Sequence, residues 1–169
     1  GMPSYFPQIE SENIVIGVSG LASSKNFQCL VTNTIPCLDL LEKTQFFPFY
    51  TYDEDGSNRR ENITDWALGQ FQEAYGDNWT KWDVFYYCYA LLHHPDYRER
   101  YAQNLKRDLP RLPLLSGADQ LAKLGKQLCN LHLNYETAQR YELTRHEKPP
   151  FSWRVEKMKL NRDKTELTY

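Results

Sequence analysis

The sequence has 169 residues, 41% hydrophobic and 25% charged, with a formal net charge of -2. That length holds one domain with a real core, and the slightly acidic balance argues against wholesale nucleic-acid affinity. No apolar run approaches bilayer-spanning length and no signal peptide opens the chain, so a cytoplasmic protein is expected.

Gly1 before Met2 reads as a tag-cleavage scar, and the domain is expected to run from 2 to 169. Residues 5–60 form a strand-rich part. Within it NIVIGV (13–18) is β-branched and short, FQCLVT (27–32) alternates in part, and the aromatic QFFPFYTY (45–52) is extended, with Pro48 suiting an edge or bulge. GLASSKNF has the small hydroxyl residues of an exposed loop. DEDGSNRR (53–60) is polar and turn-rich, and reads as a mobile linker within the domain.

From 61 to 135 the period changes from two to 3.6. Asn62 or Thr64 can cap a helix that carries Ile63, Trp66, Ala67, Phe71 and Tyr75 and stops at Gly76. Thr80 with Asp83 makes a capping-box start to a second helix, apolar nearly all round and therefore central. Pro95 opens a third helix. Ser116 with Asp119 opens a fourth, whose stripe Leu121, Leu124, Leu128 and Leu131 is expected to face the core. The part from 136 to 169 begins irregular, and VEKMKL and TELTY flanking NRDK read as a β-hairpin. The expected class is α+β, a small antiparallel sheet with a possible C-terminal hairpin, packed with a four-helix layer.

Chemistry is sparse. Cysteines stand at 29, 37, 88 and 129, without a CxxC pair, and read as reduced, buried small hydrophobes. His93 and His94 point about 100° apart on a helix and cannot share a metal as an i, i+4 pair does. His132 reads as a satisfied helix histidine. VSGLASSK lacks GxSxG and the phosphate-loop pattern, although Ser-Ser-Lys could still offer hydroxyls and a cation to phosphate. KPPF (148–151) resembles the [NDS]PP[YFW] motif of amino-methyltransferases, but Lys148 cannot accept the hydrogen bond that the target amine must donate. No paired carboxylates suit metal-dependent DNA cleavage. No catalytic group, metal site or cofactor is expected.

Charge is unevenly spread. Residues 1–60 carry 4 basic and 7 acidic groups, 61–110 carry 5 and 8, and 111–169 carry 11 and 7. Such asymmetry can turn one face towards an anion. In LLHHPDYRERYAQNLKRDLPRLP (91–113), Tyr97, Tyr101 and Leu105 share one face. Arg100, Gln103, Lys106 and Arg107 fall on the other, and Arg98 borders the apolar stripe. Helix geometry reads this either as a solvated face or as an anion-holding one.

The segments VSGLASSKNFQCLVTNTIP, TQFFPFY, NITDWALGQFQEAYGD, TKWDVFYYCYALLHHPDYRERYAQNLKRDLPRLPL, LAKLGKQLCNLHLNYE and WRVEKMKLNRDKTELTY, in that order, resemble the C-terminal specificity domain of type ISP restriction–modification enzymes. The resemblance runs from about residue 5 to 169. Those large bacterial enzymes carry a nuclease, a helicase-like translocase, an adenine methyltransferase and a target recognition domain in one chain. The resemblance implies a module that reads a double-stranded DNA site for catalytic domains placed elsewhere. The chain starts at its own methionine and stops at TELTY, where such domains continue a little further, so a free-standing subunit or a truncated remnant is expected.

The resemblance does not name base-reading residues, so contacts are assigned by chemistry. Lys25, Arg59, Arg60, Arg154, Lys157 and Lys159 suit phosphates, and Ser23, Ser24 and Asn26 suit base edges. The basic residues from 98 to 111 read as structural, with Arg98 or Arg111 pairing a carboxylate. The alternative class is a protein-interaction module that docks a separate methyltransferase or translocase polypeptide. A stand-alone enzyme ranks last.

Overall fold

The structure, a computed structural model, describes residues 4–8, 10–147, 154 and 157–168. The KPPF segment and the tag scar lie outside the described residues. The chain divides into two compact units, Gly1–Ala138 and Gln139–Tyr169.

The first unit opens with three antiparallel strands, β1 (Val15–Val18), β2 (Cys29–Thr32) and β3 (Gln45–Pro48), in the order β2-β1-β3. Ile16, Val18, Cys29 and Val31 share the face that enters the core. The aromatic run expected as one strand is broken. Pro48 has no N–H to continue a ladder, and the next residue, Phe49, is fully buried against Tyr50, Trp82 and Phe85.

Beyond the break, β4 (Tyr50–Thr51) pairs with β5 (Arg60–Glu61). DEDGSN is therefore the turn of a hairpin rather than a linker. The Asp53 N–H donates to the Ser57 carbonyl, and Asp53 also takes Arg60 at 2.5 Å. Buried Asn13 fastens this hairpin to the chain start: its Nδ2 donates to the Tyr5 and Tyr50 carbonyls, and its Oδ1 accepts from the Ile14 and Tyr50 amides.

Four helices follow, α1 (Asp65–Tyr75), α2 (Lys81–His93), α3 (Pro95–Arg100) and α4 (Ala118–Leu133). Thr64 caps α1 by accepting from the Ala67 amide at 3.1 Å. Trp66, one of the large apolar residues of this helix, is 76% exposed. It lies about 140° around the helix from Phe71, the residue that α1 buries. The capping box of Thr80 and Asp83 forms as read, and α2 is the centre of the core.

α4 departs from expectation at both its start and its face. Gly117 occupies the N-cap position with φ 77°, and the Asp119 carboxylate accepts from Trp79 Nε1 at 3.1 Å rather than capping its own helix. The residues buried against α2 are small: Ala118, Ala122, Gly125 and Cys129. Leu121 and Leu128 flank them, while Leu124 and Leu131 stand 46% and 51% exposed. Close approach of the two helices selects this stripe, since a Cβ on Gly125 would sit 1.9 Å from the Tyr86 carbonyl oxygen.

The buried tyrosine hydroxyls of this core find partners. Tyr87 OH donates to the Pro113 carbonyl at 2.5 Å and accepts from the Leu115 amide at 3.1 Å. Tyr97 OH donates to the Arg111 carbonyl at 2.8 Å. Tyr89 OH meets His132 Nδ1 at 2.5 Å and accepts from the Val31 amide at 3.1 Å. Arg98, with Arg111 one of the two residues expected to pair a carboxylate, donates to the Phe27 carbonyl at 2.5 Å.

Three of the cysteines are packed into this interior, whereas Cys37 is exposed, contrary to expectation. Burial pushes the Cys88 and Cys129 thiols up to about 12. His93 packs on Tyr89 and His132, with centroid distances of 4.6 and 5.4 Å, and its Nε2 has no hydrogen-bond partner. Desolvation lowers its pKa to about 4, helped by nearby His132 and Arg98.

In the second unit, residues 139–147 are without regular structure. β6 (Lys159–Leu160) and β7 (Leu167–Thr168) form the expected hairpin. Asn161 organises its turn, accepting from the Thr165 and Glu166 amides.

Two tests follow from this packing. In Gly125→Ala, about 1 kcal/mol gained in helix propensity is outweighed by a clash with backbone, which cannot swing aside as a side-chain tip can. A net loss of about 2 kcal/mol is expected in denaturant titration. The second concerns acid. Below about pH 6.5 the unfolded chain protonates His93, whereas the folded chain refuses that proton until about pH 4. The unfolded state therefore binds more protons in this window, and stability falls as the pH drops through it. His93→Phe should lose less stability than the parent between about pH 7 and about pH 5.

Candidate nucleic-acid interface

The β1–β2 loop, residues 19–28, is the segment the sequence marked out by its hydroxyls. It is fastened at both ends. Ser19 and Gln28 exchange hydrogen bonds through the Ser19 amide and hydroxyl, at 2.9 Å each. The Gly20 amide donates to the Glu42 carbonyl, and a Cβ at Gly20 would lie 1.8 Å from the Lys43 carbonyl oxygen, so only glycine fits there. On the other side, the Ala22 amide donates to the Lys106 carbonyl, and Arg98 holds the Phe27 carbonyl. The loop thus rests on the turn that follows α3.

Within the loop, Ser23 and Ser24 are gathered by one carboxylate. Ser23 Oγ donates to Glu42 Oε2 at 2.9 Å. The Ser24 amide and hydroxyl reach Glu42 Oε1 at 3.2 and 3.1 Å. The Ser24 amide first, then the Ser23 hydroxyl, holds the Glu42 carboxyl below the usual carboxylate range. Both serines are therefore engaged by the protein's own carboxylate, although Ser24 is exposed, as are Lys25 and Asn26 next along the loop.

Asn26 and Phe27 form one wall of a cleft of about 350 Å³, and Arg98, Glu99, Gln103 and Lys106 line the other. Lys25, Lys106, Arg100 and Arg107 are exposed cations on these two segments. A cleft lined by two side-chain amides and by Lys106, with further cations on the same segments, can hold phosphates by charge and read base edges by paired donors and acceptors.

The remaining candidates belong to other segments of the chain. Arg59 pairs with Glu12 at 2.6 Å and stacks over Tyr50, its guanidinium 4.5 Å from the ring centroid. Arg60 pairs with Asp53 at 2.5 Å across the β4–β5 turn. These ion pairs are exposed and weak. Arg154, Lys157 and Lys159 belong to the second unit, where all three are exposed, Lys159 on β6. Gln103, Lys106 and Glu42 were not among the sequence-derived contacts. Nothing local in LLEK announces that Glu42 will receive three donors from a loop nearly twenty residues earlier.

Among the described residues, no group of three or more His, Cys, Asp or Glu is placed to hold a metal ion. No helix among them is long and apolar enough to cross a membrane.

The family model of the type ISP C-terminal specificity domain matches residues 1–169, the whole sequence. The chain belongs to that family. Its architecture recurs in solved structures. One is the DrdV–DNA complex determined by cryo-electron microscopy, 42% identical over 95% of this chain, with a TM-score of 0.85. Another is the type ISP restriction-modification enzyme LlaBIII bound to DNA, 27% identical over 95%, with a TM-score of 0.76. A third is a nuclease-deletion mutant of the type ISP enzyme LlaGI with a DNA substrate mimic, 32% identical over 82%, with a TM-score of 0.68. The chain spans 17%, 11% and 10% of those three chains respectively. No curated protein matches it.

The seating of the loop in this specificity domain is open to a direct test. Arg98→Met keeps the aliphatic packing but strands the Phe27 carbonyl. A loss of about 1–3 kcal/mol is expected, with faster amide hydrogen exchange confined to residues 21–28.

Proposed function

We propose that this chain reads a double-stranded DNA site for the catalytic domains of a type ISP restriction–modification system, in the cytoplasm, and carries out no catalysis itself. The observation that carries this reading is the 42% identity over 95% of the chain to the corresponding part of DrdV, whose structure was determined as a DNA complex. In this reading both units belong to one recognition domain spanning 2–169. The adenine methyltransferase and nuclease activities belong to other domains or to a separate methyltransferase/translocase polypeptide.

The geometry suggests how the work is divided. Lys106 in the cleft lining and Lys25, the residue before Asn26, serve phosphates, while Asn26 and Gln103 offer the paired donor and acceptor that suit an adenine edge. Ser23 and Ser24 shape the loop from within. Arg59 and Arg60 exchange weak exposed carboxylate pairs for phosphate at little cost. Arg154, Lys157 and Lys159 supply further phosphate contacts from the second unit.

A second reading, docking onto a methyltransferase or translocase polypeptide, is favoured by the exposed Leu124 and Leu131 of α4. It predicts association that tolerates salt, whereas DNA binding does not.

The test is selection of duplexes from a random library by the purified chain, followed by affinity measurement at several salt concentrations. One asymmetric sequence should be enriched, with affinity falling steeply as salt rises. Removing both Lys25 and Lys106 should flatten the log–log salt slope by about 2 without changing the preferred sequence. Asn26→Ala should relax preference at one base pair by about 1–3 kcal/mol. Failure to enrich any sequence, or affinity indifferent to salt, would overturn the reading.

A further inference from the structure

Glu42 is out of place on a surface meant for DNA. A carboxylate repels phosphate, and this one stands beside a loop whose neighbouring cations should attract it. Its geometry supplies a reason for its presence. It receives the Ser23 hydroxyl, the Ser24 hydroxyl and the Ser24 amide. The Ser23 oxygen in turn accepts from the Lys25 amide at 3.2 Å. The backbone on both sides is left-handed without glycine, at Ala22 (φ 58°), Glu42 (φ 66°) and Lys43 (φ 53°). Lys43 Nζ closes the opposite side by donating to the Ala22 carbonyl at 3.2 Å.

Non-glycine residues at positive φ persist only where surrounding contacts over-determine them. Here the Glu42 side chain supplies three of these contacts, beside the Lys43 Nζ bond and the backbone bonds of Gly20 and Ala22. The two residues that follow the captured serines are Lys25, exposed on the loop, and Asn26, which lines the cleft.

We propose that Glu42 is a positioning residue for recognition: it holds the 22–26 loop in one conformation before DNA arrives, so that Asn26 meets base edges in a fixed pose. Ordering the loop in advance removes that entropic cost from binding. It favours the correct site more than the phosphate backbone, because base reading depends on geometry whereas charge attraction depends mainly on proximity. Glu42 touches no base in this account and acts through the serines. The inference rests on the DNA-reading function proposed above.

Three proteins test it: the parent chain, Glu42→Ala and Glu42→Gln. Gln keeps an oxygen for Ser24 and can donate to Ser23, so it can hold the loop without the charge. Hydrogen exchange needs no DNA. In Glu42→Ala the Ser24 and Lys25 amides should exchange at least about tenfold faster, and Glu42→Gln should restore protection. In DNA binding, Glu42→Ala should lose about tenfold in the ratio of selected-site to unrelated-duplex affinity. Its affinity for unrelated duplex should hold or rise, and Glu42→Gln should recover the ratio.

Unchanged exchange in Glu42→Ala overturns the positioning role whatever the DNA result. Changed exchange with an unchanged ratio overturns its link to recognition. Equal loss of the ratio in both variants overturns it in favour of direct contact between the carboxylate and a base. If the parent chain discriminates no duplex, the DNA-reading function fails, and the link to recognition fails with it. The exchange data then still decide whether Glu42 orders the loop.

Discussion

A phenol buried in a protein core must hydrogen-bond or destabilise the fold, and the first unit is organised around that constraint. Its central helix buries Tyr87 and Tyr89 completely. Each hydroxyl reaches past the helix layer to a backbone group on another element: Tyr87 to the proline-rich 109–115 segment, Tyr89 to strand β2 and to His132 on α4. Tyr97 and Tyr75 add further ties from α3 and α1 to the same segment, at the Arg111 and Leu115 carbonyls. A stretch interrupted by Pro110 and Pro113 is thereby held in an extended path. The high aromatic content has this structural use before it has any other.

The candidate interface inherits its rigidity from that scaffold. Because Tyr97 and Leu105 are buried, the backbone between them is fixed. The Lys106 carbonyl and the Arg98 guanidinium are then in position to hold the β1–β2 loop. A chain of contacts runs from an apolar core to a polar tip, with a carboxylate in the middle of it. Charge supplies attraction at the outer end, and packing supplies geometry at the inner end.

What could be read from the sequence was what depends on local chemistry. Strand and helix periods, the Thr80–Asp83 box, Pro95 and the terminal hairpin all state their structure within a few residues. The failures have a shared cause. Asp119 looked like a capping residue because only its own helix was in view, and its partner Trp79 comes forty residues earlier. The leucines of α4 looked like the core stripe because they are the larger apolar residues. Close approach to α2 instead favours small ones, a criterion that needs the neighbour's backbone. Family resemblance named the kind of molecule, while the lacing of the loop by Glu42, Arg98 and Lys106 depends on tertiary contacts no spacing rule encodes. The serines were noticed for their hydroxyls, and the structure finds those hydroxyls already engaged.

The outer margins of the three-stranded sheet carry one last consequence. Exposed sheet margins let polypeptides anneal to one another. On β2 the Val31 amide is covered by the Tyr89 phenol, and on β3 the strand ends in Pro48, which has no amide to offer. Both sides are blunted by residues already needed for folding. Along these two margins another strand finds a poorer template, and that protection comes from the same side chains that build the interior.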